Sequence, residues 1–414
     1  MDSRISLDAA SRKRRRTGSW IVASCFTGSL LFALFQGGKL AYMLFMIVFL
    51  LTLYLMLGRW SGIASIRGKR LMEKDQRMPG FPAGTSIPVC LQFEIPGIWP
   101  LPYVIVKERL ISHRGDAHQF ELTFVPDWKR RGAVSYLTPP LRRGFYRFAE
   151  TVCSTEDVFG LFEHQGKIDA GDTFAVLPQT VPIREWNELM RYIRGSQFHS
   201  HTTRSFRETT QINGVREYVY GDRISRIHWN ATARTGTWKS KEFERETLPR
   251  TIILLDRGRQ AYGDSGLFEL AVSAAASVLE YGRRADVPIG LLSVGETSYY
   301  LEPGVGDAHY RRAVAHLTGV ECDGDGGWEI ALKRVGERLP RGSFFVIVSP
   351  RTPGEWPEAA RWLSSRQMIY CQLWIRPEAA GAVSQPARLG RQDYWVYPLS
   401  RLEELPGVLG GRQA

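Results

Sequence analysis

Hydrophobic positions fall into three regimes along the chain. Two long apolar runs come first: residues 17–38 and 40–58 carry no formal charge and are separated by Lys39. At a rise of about 1.5 Å per residue either run is long enough for a hydrocarbon core of roughly 30 Å, which predicts a transmembrane hairpin. The second run, LAYMLFMIVFLLTLYLMLG, is apolar almost throughout. The first carries Ser24, Thr27, Gly28 and Ser29, small residues that would let two helices approach closely.

The second regime, over 80–182, consists of short runs rich in Val, Ile, Phe, Tyr and Thr: TSIPVCLQFEI, PYVIVKERLI, HQFELTFVP, AVSYLTPPL, GFYRFAETVCS and DTFAVLP. Pro or Gly falls between most of them, a spacing that predicts a small β-sandwich or barrel. The third regime, from Thr251 onward, alternates apolar strands with amphipathic helices. TIILLD ends in Asp256, and the helix predicted over 267–284 aligns Leu267, Leu270, Ala271, Ala274, Ala275, Val278 and Leu279 on one face. VPIGLLSVG, a hairpin extension at 298–302, SFFVIVS, MIYCQLWIR and YWVYPL supply further strands. Helices are expected at 308–317, 328–339 and 357–366. Such alternation means a mostly parallel sheet covered on both faces, with any ligand beyond the carboxyl ends of its strands, near Asp256.

The resulting plan is a basic N-terminus (1–16), a two-helix hairpin (17–58), a juxtamembrane linker (59–79), a β-sandwich-like domain (80–184), a connector (185–246) and an α/β domain (247–414). Charge orients it. Of the net +12, residues 1–77 hold 13 Lys or Arg against 4 Asp or Glu, leaving 41 against 38 for the rest. Cations at 12–16 precede the first run, and Arg59, Arg67, Lys69, Arg70, Lys74 and Arg77 follow the second. Both termini and the bulk of the chain are therefore expected in the cytoplasm of a multi-pass cell-membrane protein. The near-neutral body argues against nucleic acid as a partner and for the lipid bilayer. A cleaved signal peptide is the rival reading of the first run, but no A-x-A-like site follows it and the second run comes at once. Five scattered cysteines without a C-x-x-C pair read as reduced thiols.

Motifs for chemistry are sparse. No phosphate loop, G-x-G-x-x-G, H-E-x-x-H or G-x-S-x-G is present. His199 and His201 read as solvated loop residues, and Cys322 with Asp323 and Asp325 as a turn. Asp157 is expected to accept turn amides while Phe159 and Phe162 pack inward. The densest stretch is 214–246, GVREYVYGDRISRIHWNATARTGTWKSKEFERE, in which arginines, carboxylates and rings alternate. Guanidinium groups fork onto carboxylates and stack on rings, so an ordered, partly buried polar lattice coupling the two domains is expected. An envelope-associated hydrolase or transferase using Asp222, His228 and Lys241 is the alternative.

That stretch resembles the signature of the bacterial family called domain of unknown function 58, with Arg216, Glu217, Tyr218, Gly221, Asp222, Ile227, Trp229, Ala233, Arg234, Lys241, Phe243 and Glu246 at the matching positions. The upstream RRGFYRF and DVFGLF segments are also similar to the family, with Val158 where a proline is usual. The resemblance implies a membrane-anchored protein with a strand-rich unit and a von Willebrand factor A-like (Rossmann-like) α/β domain. The absence of catalytic motifs and the dense segment 214–246 lead to the expectation of a non-enzymatic scaffold or adaptor for a protein partner in an envelope-related or chaperone-like assembly, and the partner the resemblance implies is a MoxR-type AAA+ ATPase. Arg216, Glu217, Tyr218, Gly221, Asp222, Trp229, Arg234, Lys241, Phe243 and Glu246 are its candidate interaction residues. A cation site in A domains needs D-x-S-x-S after the first strand. Here the stretch is Asp256-Arg257-Gly258-Arg259-Gln260, and a later strand ends in Ser349-Pro350, so Asp256 marks a degenerate site and neither metal nor cofactor is expected.

Overall fold

The structure is a computed structural model that describes residues 2–58, 61–72, 80–99, 101–157, 159–187, 189–190, 207–220, 222, 224–246, 250–325, 332, 334–340, 342–378, 387–388 and 395–410. The chain divides into two compact units, Met1–Leu177 and Pro178–Ala414.

The first unit opens with α1 (Asp2–Gln36) and α2 (Lys39–Leu57), turned on Gly37 and Gly38, both at positive φ that side chains rarely adopt. Within them, 18–36 and 39–57 are long and apolar enough to cross a membrane, so two apolar helices near the N-terminus point to membrane association. Phe26 packs on Phe45 and Phe49, and Ser29, Ala33 and Ala41 are buried between elements. Gly28, expected at the close approach, faces open space. Its neighbours Thr27 and Ser29 return their hydroxyls to carbonyls one turn back, as polar groups in apolar helices must.

Ten strands follow: β1 (Arg67–Met72), β2 (Phe81–Pro82), β3 (Pro88–Glu94), β4 (Val104–Ser112), β5 (Ala117–Phe124), β6 (Arg131–Leu137), β7 (Gly144–Phe148), β8 (Thr151–Glu156), β9 (Glu163–Ile168) and β10 (Thr173–Leu177). They form a sheet β1-β3-β6 and a sheet β2-β10-β7-β4-β8-β9, with β5 also on β4. Inward residues of both sheets share core clusters, Leu91 and Phe93 of β3 meeting Val104 and Val106 of β4 and Cys153 of β8. Burial pushes the Cys153 thiol up to about 12, with the Glu108 carboxylate adding to the effect.

Three details depart from expectation. The run GFYRFAETVCS is two strands, because β7 and β8 pair with successive stretches of β4. The stretch 59–79 contributes β1, which pairs along its whole length with β3. Arg70 therefore does not flank the bilayer as a solvated cation. Its guanidinium is buried on Glu108 at 2.6 Å and Asp172 at 3.0 Å and lies 3.9 Å over the Phe148 ring, while the Thr151 and Tyr136 hydroxyls complete the Glu108 carboxylate. Glu108 occupies an inward position of β4, in step with Val104, Val106 and Leu110. The third detail is Phe159, which is exposed rather than packed inward. Asp157 accepts the amides of Phe159, Leu161 and Phe162 as expected, but the turn closes on Gly160 at φ 62 and leaves Phe159 at its tip.

The second unit is built on a mixed sheet. Its central strands are β13 (Thr251–Asp256), β14 (Ile289–Val294), β16 (Phe344–Ser349), β17 (Ile369–Ile375) and β19 (Trp395–Leu399), all parallel. The antiparallel strands β15 (Tyr299–Gly304) and β18 (Ala387–Arg388) give the order β15-β14-β13-β16-β17-β19-β18. The near-continuous apolar strands are buried on both faces. Ile253 and Leu255 face α4 (Ser265–Ala285) and α5 (Asp307–Gly319), while Ile252 and Leu254 face α6 (Pro357–Ser365); a short α7 (Leu405–Gly410) joins the first layer. Helix α4 is buried well beyond one face, from Ala274 to Gly282, because Ile183, Trp186 and Leu189 pack over it. The start of the stretch expected as a connector thus belongs to this core. Among the described residues all five cysteines are free thiols.

Candidate functional site

The signature stretch folds as a small module. Strand β11 (Arg207–Glu217) pairs antiparallel with β12 (Lys239–Glu246), and between them run a 3-10 turn over Ile224–Arg226 and the short helix α3 (Trp229–Thr235). The ladder continues past β11 through the Tyr218 amide on the Trp238 carbonyl at 2.9 Å. On the other side the His228 amide donates to Lys239 O at 2.8 Å and the Lys239 amide to Thr232 Oγ1 at 3.0 Å, clamping α3 to β12. Ile227, bridged to Ser240 and fully buried, is the small apolar centre of the fold.

Polar side chains of the signature serve this backbone. Asp222 accepts from Arg216 Nη2 at 2.7 Å and from the Val219 amide at 3.2 Å, closing the turn after β11, while the Tyr218 hydroxyl donates to the Asp222 carbonyl. The Arg216 hydrogen bond, then that from Val219, holds the Asp222 carboxyl below its ordinary range. His228 Nδ1 accepts from the Ala231 amide at 3.1 Å and caps α3. Lys239 pairs with Glu217 at 3.1 Å. Two of the three groups in the hydrolase reading, Asp222 and His228, are spent on holding backbone.

The rings behave differently from expectation. Trp229 and Trp238 are 61% and 55% exposed with centroids 6.2 Å apart, Tyr218 packs on Trp238 at 5.7 Å, and Tyr220 is fully exposed. Val219 and Ile224 are exposed as well. The polar part of the lattice, Arg216, Tyr218, Asp222 and His228, is half-buried as expected, but the tryptophans stay at the surface, because a ribbon with one short helix has too little volume to enclose its large side chains. Arg234 is exposed at the end of α3, and Lys241 is half-buried on β12 opposite Val215. Phe243 and Glu246 place their backbones opposite Ile212 and Arg207, their side chains lying outside what is described. Gly221, Val158, His199 and His201 also lie outside the described residues.

The carboxyl edge of the parallel sheet is the second location singled out by sequence. Asp256 is buried there, its Oδ1 accepting from the Gly258 amide at 2.9 Å and its Oδ2 from Ser349 Oγ at 2.8 Å and Arg351 Nε at 3.2 Å. Beside it the buried Arg257 donates to Asp323 and to the carbonyls of Glu321 and Thr297. Cys322 and Asp323 form the turn that receives it. Arg351 escaped sequence reasoning because it follows the strand-ending Ser349-Pro350 by a single residue, in a loop with no periodic signal. Among the described residues no three His, Cys, Asp or Glu side chains converge as a metal set would require.

Residues 214–376 match the family model described as "Protein of unknown function DUF58", a span that begins at the module and runs through the first four parallel strands of the sheet. A relative from Bacillus subtilis (strain 168), the uncharacterized protein YeaD, is 28% identical over 301 residues, covering 70% of this chain and 72% of that one. Likeness to solved structures is slight. An aerotolerance-related membrane protein from Bacteroides fragilis NCTC 9343 gives a TM-score of 0.25 at 16% identity, over 36% of this chain and 75% of that chain. A conjugative transposon lipoprotein from Bacteroides eggerthii DSM 20697 gives 0.16 at 9% identity, over 26% and 95%.

Proposed function

We propose that the chain is a membrane-anchored, non-enzymatic adaptor whose signature module docks a cytoplasmic protein partner, a MoxR-type AAA+ ATPase. The observation that carries this reading is the exposed, mutually packed Trp229 and Trp238, with Tyr218 against Trp238, on a module whose Arg216–Asp222 and Lys239–Glu217 pairs brace its backbone. Rigid, solvent-facing Trp and Tyr with arginine at the rim is the composition of an interface hot spot. The two apolar helices anchor the assembly, with both termini and the body in the cytoplasm as the flanking cations direct. The hydrolase or transferase reading finds no support in this geometry.

The α/β unit is read as von Willebrand factor A-like. Its strand order β15-β14-β13-β16-β17-β19, with β15 antiparallel, supports this as a 3-2-1-4-5-6 arrangement with its switch point between β13 and β16. A divalent cation of the kind such domains hold does not fit these residues. The donors around Asp256 are a hydroxyl, an amide and the guanidinium of Arg351, so both carboxylate oxygens already have partners and a fixed positive charge already stands beside them.

Co-purification of the full chain from detergent tests the docking role. Trp229→Ala combined with Trp238→Ala is expected to lower recovery of the ATPase by about tenfold or more, the scale of a lost hot spot. Unchanged recovery, or a wild type that brings down no such ATPase, would overturn it.

A further inference from the structure

We infer that the strand-rich unit rests on the bilayer through its own apolar loop tips and does not merely hang from the hairpin. The inference goes beyond the adaptor reading and rests only on the membrane hairpin. It begins with how short the joint is. α2 ends at Leu57, the Ser61 amide turns back to Gly58 O, and Ile63 and Ile66 are already in the core of the unit. At Gly62, φ is 72 and an added Cβ would come within 1.7 Å of Pro96 O, so the chain is pressed directly onto the loop between β3 and β4. The Arg130 side chain locks this joint, donating to the carbonyls of Ser61, Ile95 and Trp99.

Those contacts set a depth. The Trp99 ring lies 5.6 Å from Tyr54, which sits three residues before the end of α2 and inside the apolar span 39–57. Trp99 is therefore level with the last helical turn, about 4–5 Å inside the end of that span at 1.5 Å per residue. Its neighbour Ile98 is 98% exposed to solvent, and Trp128, at the tip of the β5–β6 turn two residues from Arg130, is completely so. Val125 on the same turn is exposed as well. A third loop meets the other helix: an added Cβ on Gly18, where the apolar span of α1 begins, would lie 2.7 Å from Leu161 O, and that loop carries the exposed Phe159.

Three loops thus gather where the two helices leave their apolar spans, and each offers a large apolar side chain to solvent, fully at Ile98 and Trp128 and by about half at Phe159. Aromatic and aliphatic tips at this level match the headgroup and upper acyl region of a bilayer, where Trp is favoured. The occupant is lipid of the chain's own membrane. The Asp157 turn and the Asp127–Arg131 turn, each held by carboxylate-to-amide bonds, keep the tips pointed without further support.

The test places photoreactive benzoylphenylalanine in the full chain, reconstituted in phosphatidylcholine and phosphatidylglycerol nanodiscs, at Ile98, Trp128 or Phe159. Leu50, within α2, reports whether the hairpin is embedded. Leu137, exposed at the far end of β6 and about 20 Å along that strand from the Trp128 turn, gives the background. Lipid adducts at 98 and 128 about fivefold or more above those at 137, approaching those at 50, are expected for side chains seated in the interface. Lipid adducts at 50 with only background at 98, 128 and 159, or adducts there to protein instead of lipid, overturn the seating while leaving the hairpin intact. Absence of lipid adducts at 50 removes the hairpin reading and this inference together.

Discussion

Arg70 with Glu108 and Arg216 with Asp222 use the same chemistry to opposite ends. Each is a guanidinium on a carboxylate close to an aromatic ring, at 2.6 Å and 2.7 Å. The first pair is sealed between two sheets, with side-chain exposures of 0% and 1%, and Thr151, Tyr136 and Phe148 fill the remaining directions. The second stands at the surface of a ribbon and leaves its rings to solvent. The difference lies in how much structure surrounds the pair. Two packed sheets exclude water on every side, whereas one hairpin and a two-turn helix fully shield, among the described residues, only Ile227 and Ser240. Composition was a poor guide to either.

The comparison is broken most directly in the strand-rich unit. Glu108→Ala is expected to destabilise it by about 3–5 kcal/mol, since Arg70 would be left buried without its main counter-charge. Denaturant unfolding of the full chain in detergent, followed by exchange of β4 and β8 amides, measures this; a loss below about 1 kcal/mol would mean that water reaches the pair. Next comes Asp256→Ala in the α/β unit, which strands Ser349 Oγ and the Gly258 amide and frees Arg351. A cost of about 1–3 kcal/mol is expected in the unfolding of that unit, with no change on adding magnesium, because no carboxylate is left waiting for a cation.

The smallest effect belongs to the surface pair. Asp222→Ala is expected to leave global melting unchanged while the Val219 amide exchanges faster. Acid does the same to the wild type. Because the Asp222 carboxyl is held below its ordinary range in the folded module, its tie to Arg216 is complete above that range and is lost as pH falls through the lowered value. Val219 exchange that does not respond between neutral and strongly acidic pH would show that the turn does not depend on the carboxylate.

Much of the architecture was legible in the residues themselves. Apolar runs at 17–38 and 40–58 are too long for any core strand, and TIILLD, VPIGLLSVG and SFFVIVS are too uniformly apolar for any surface one, so helices and central strands follow from length and period alone. The same holds for Asp157, whose side chain can reach only amides close by in sequence. Where charge dominates a strand and its inward position is itself an arginine, as at Arg70 in RGKRLM, no apolar period is present and the stretch of β1 reads as linker. Arg351 was invisible for a related reason, being 95 residues from Asp256 in the chain.

Local pattern therefore determined which segments became helices and strands. Tertiary structure decided which charges were buried, which rings stayed in water, and that Asp256 would meet Arg351. Those outcomes depend on what packs from elsewhere in the chain: solvent exclusion is a property of the volume around a residue, and a sequence window contains only one of the surfaces that bound it.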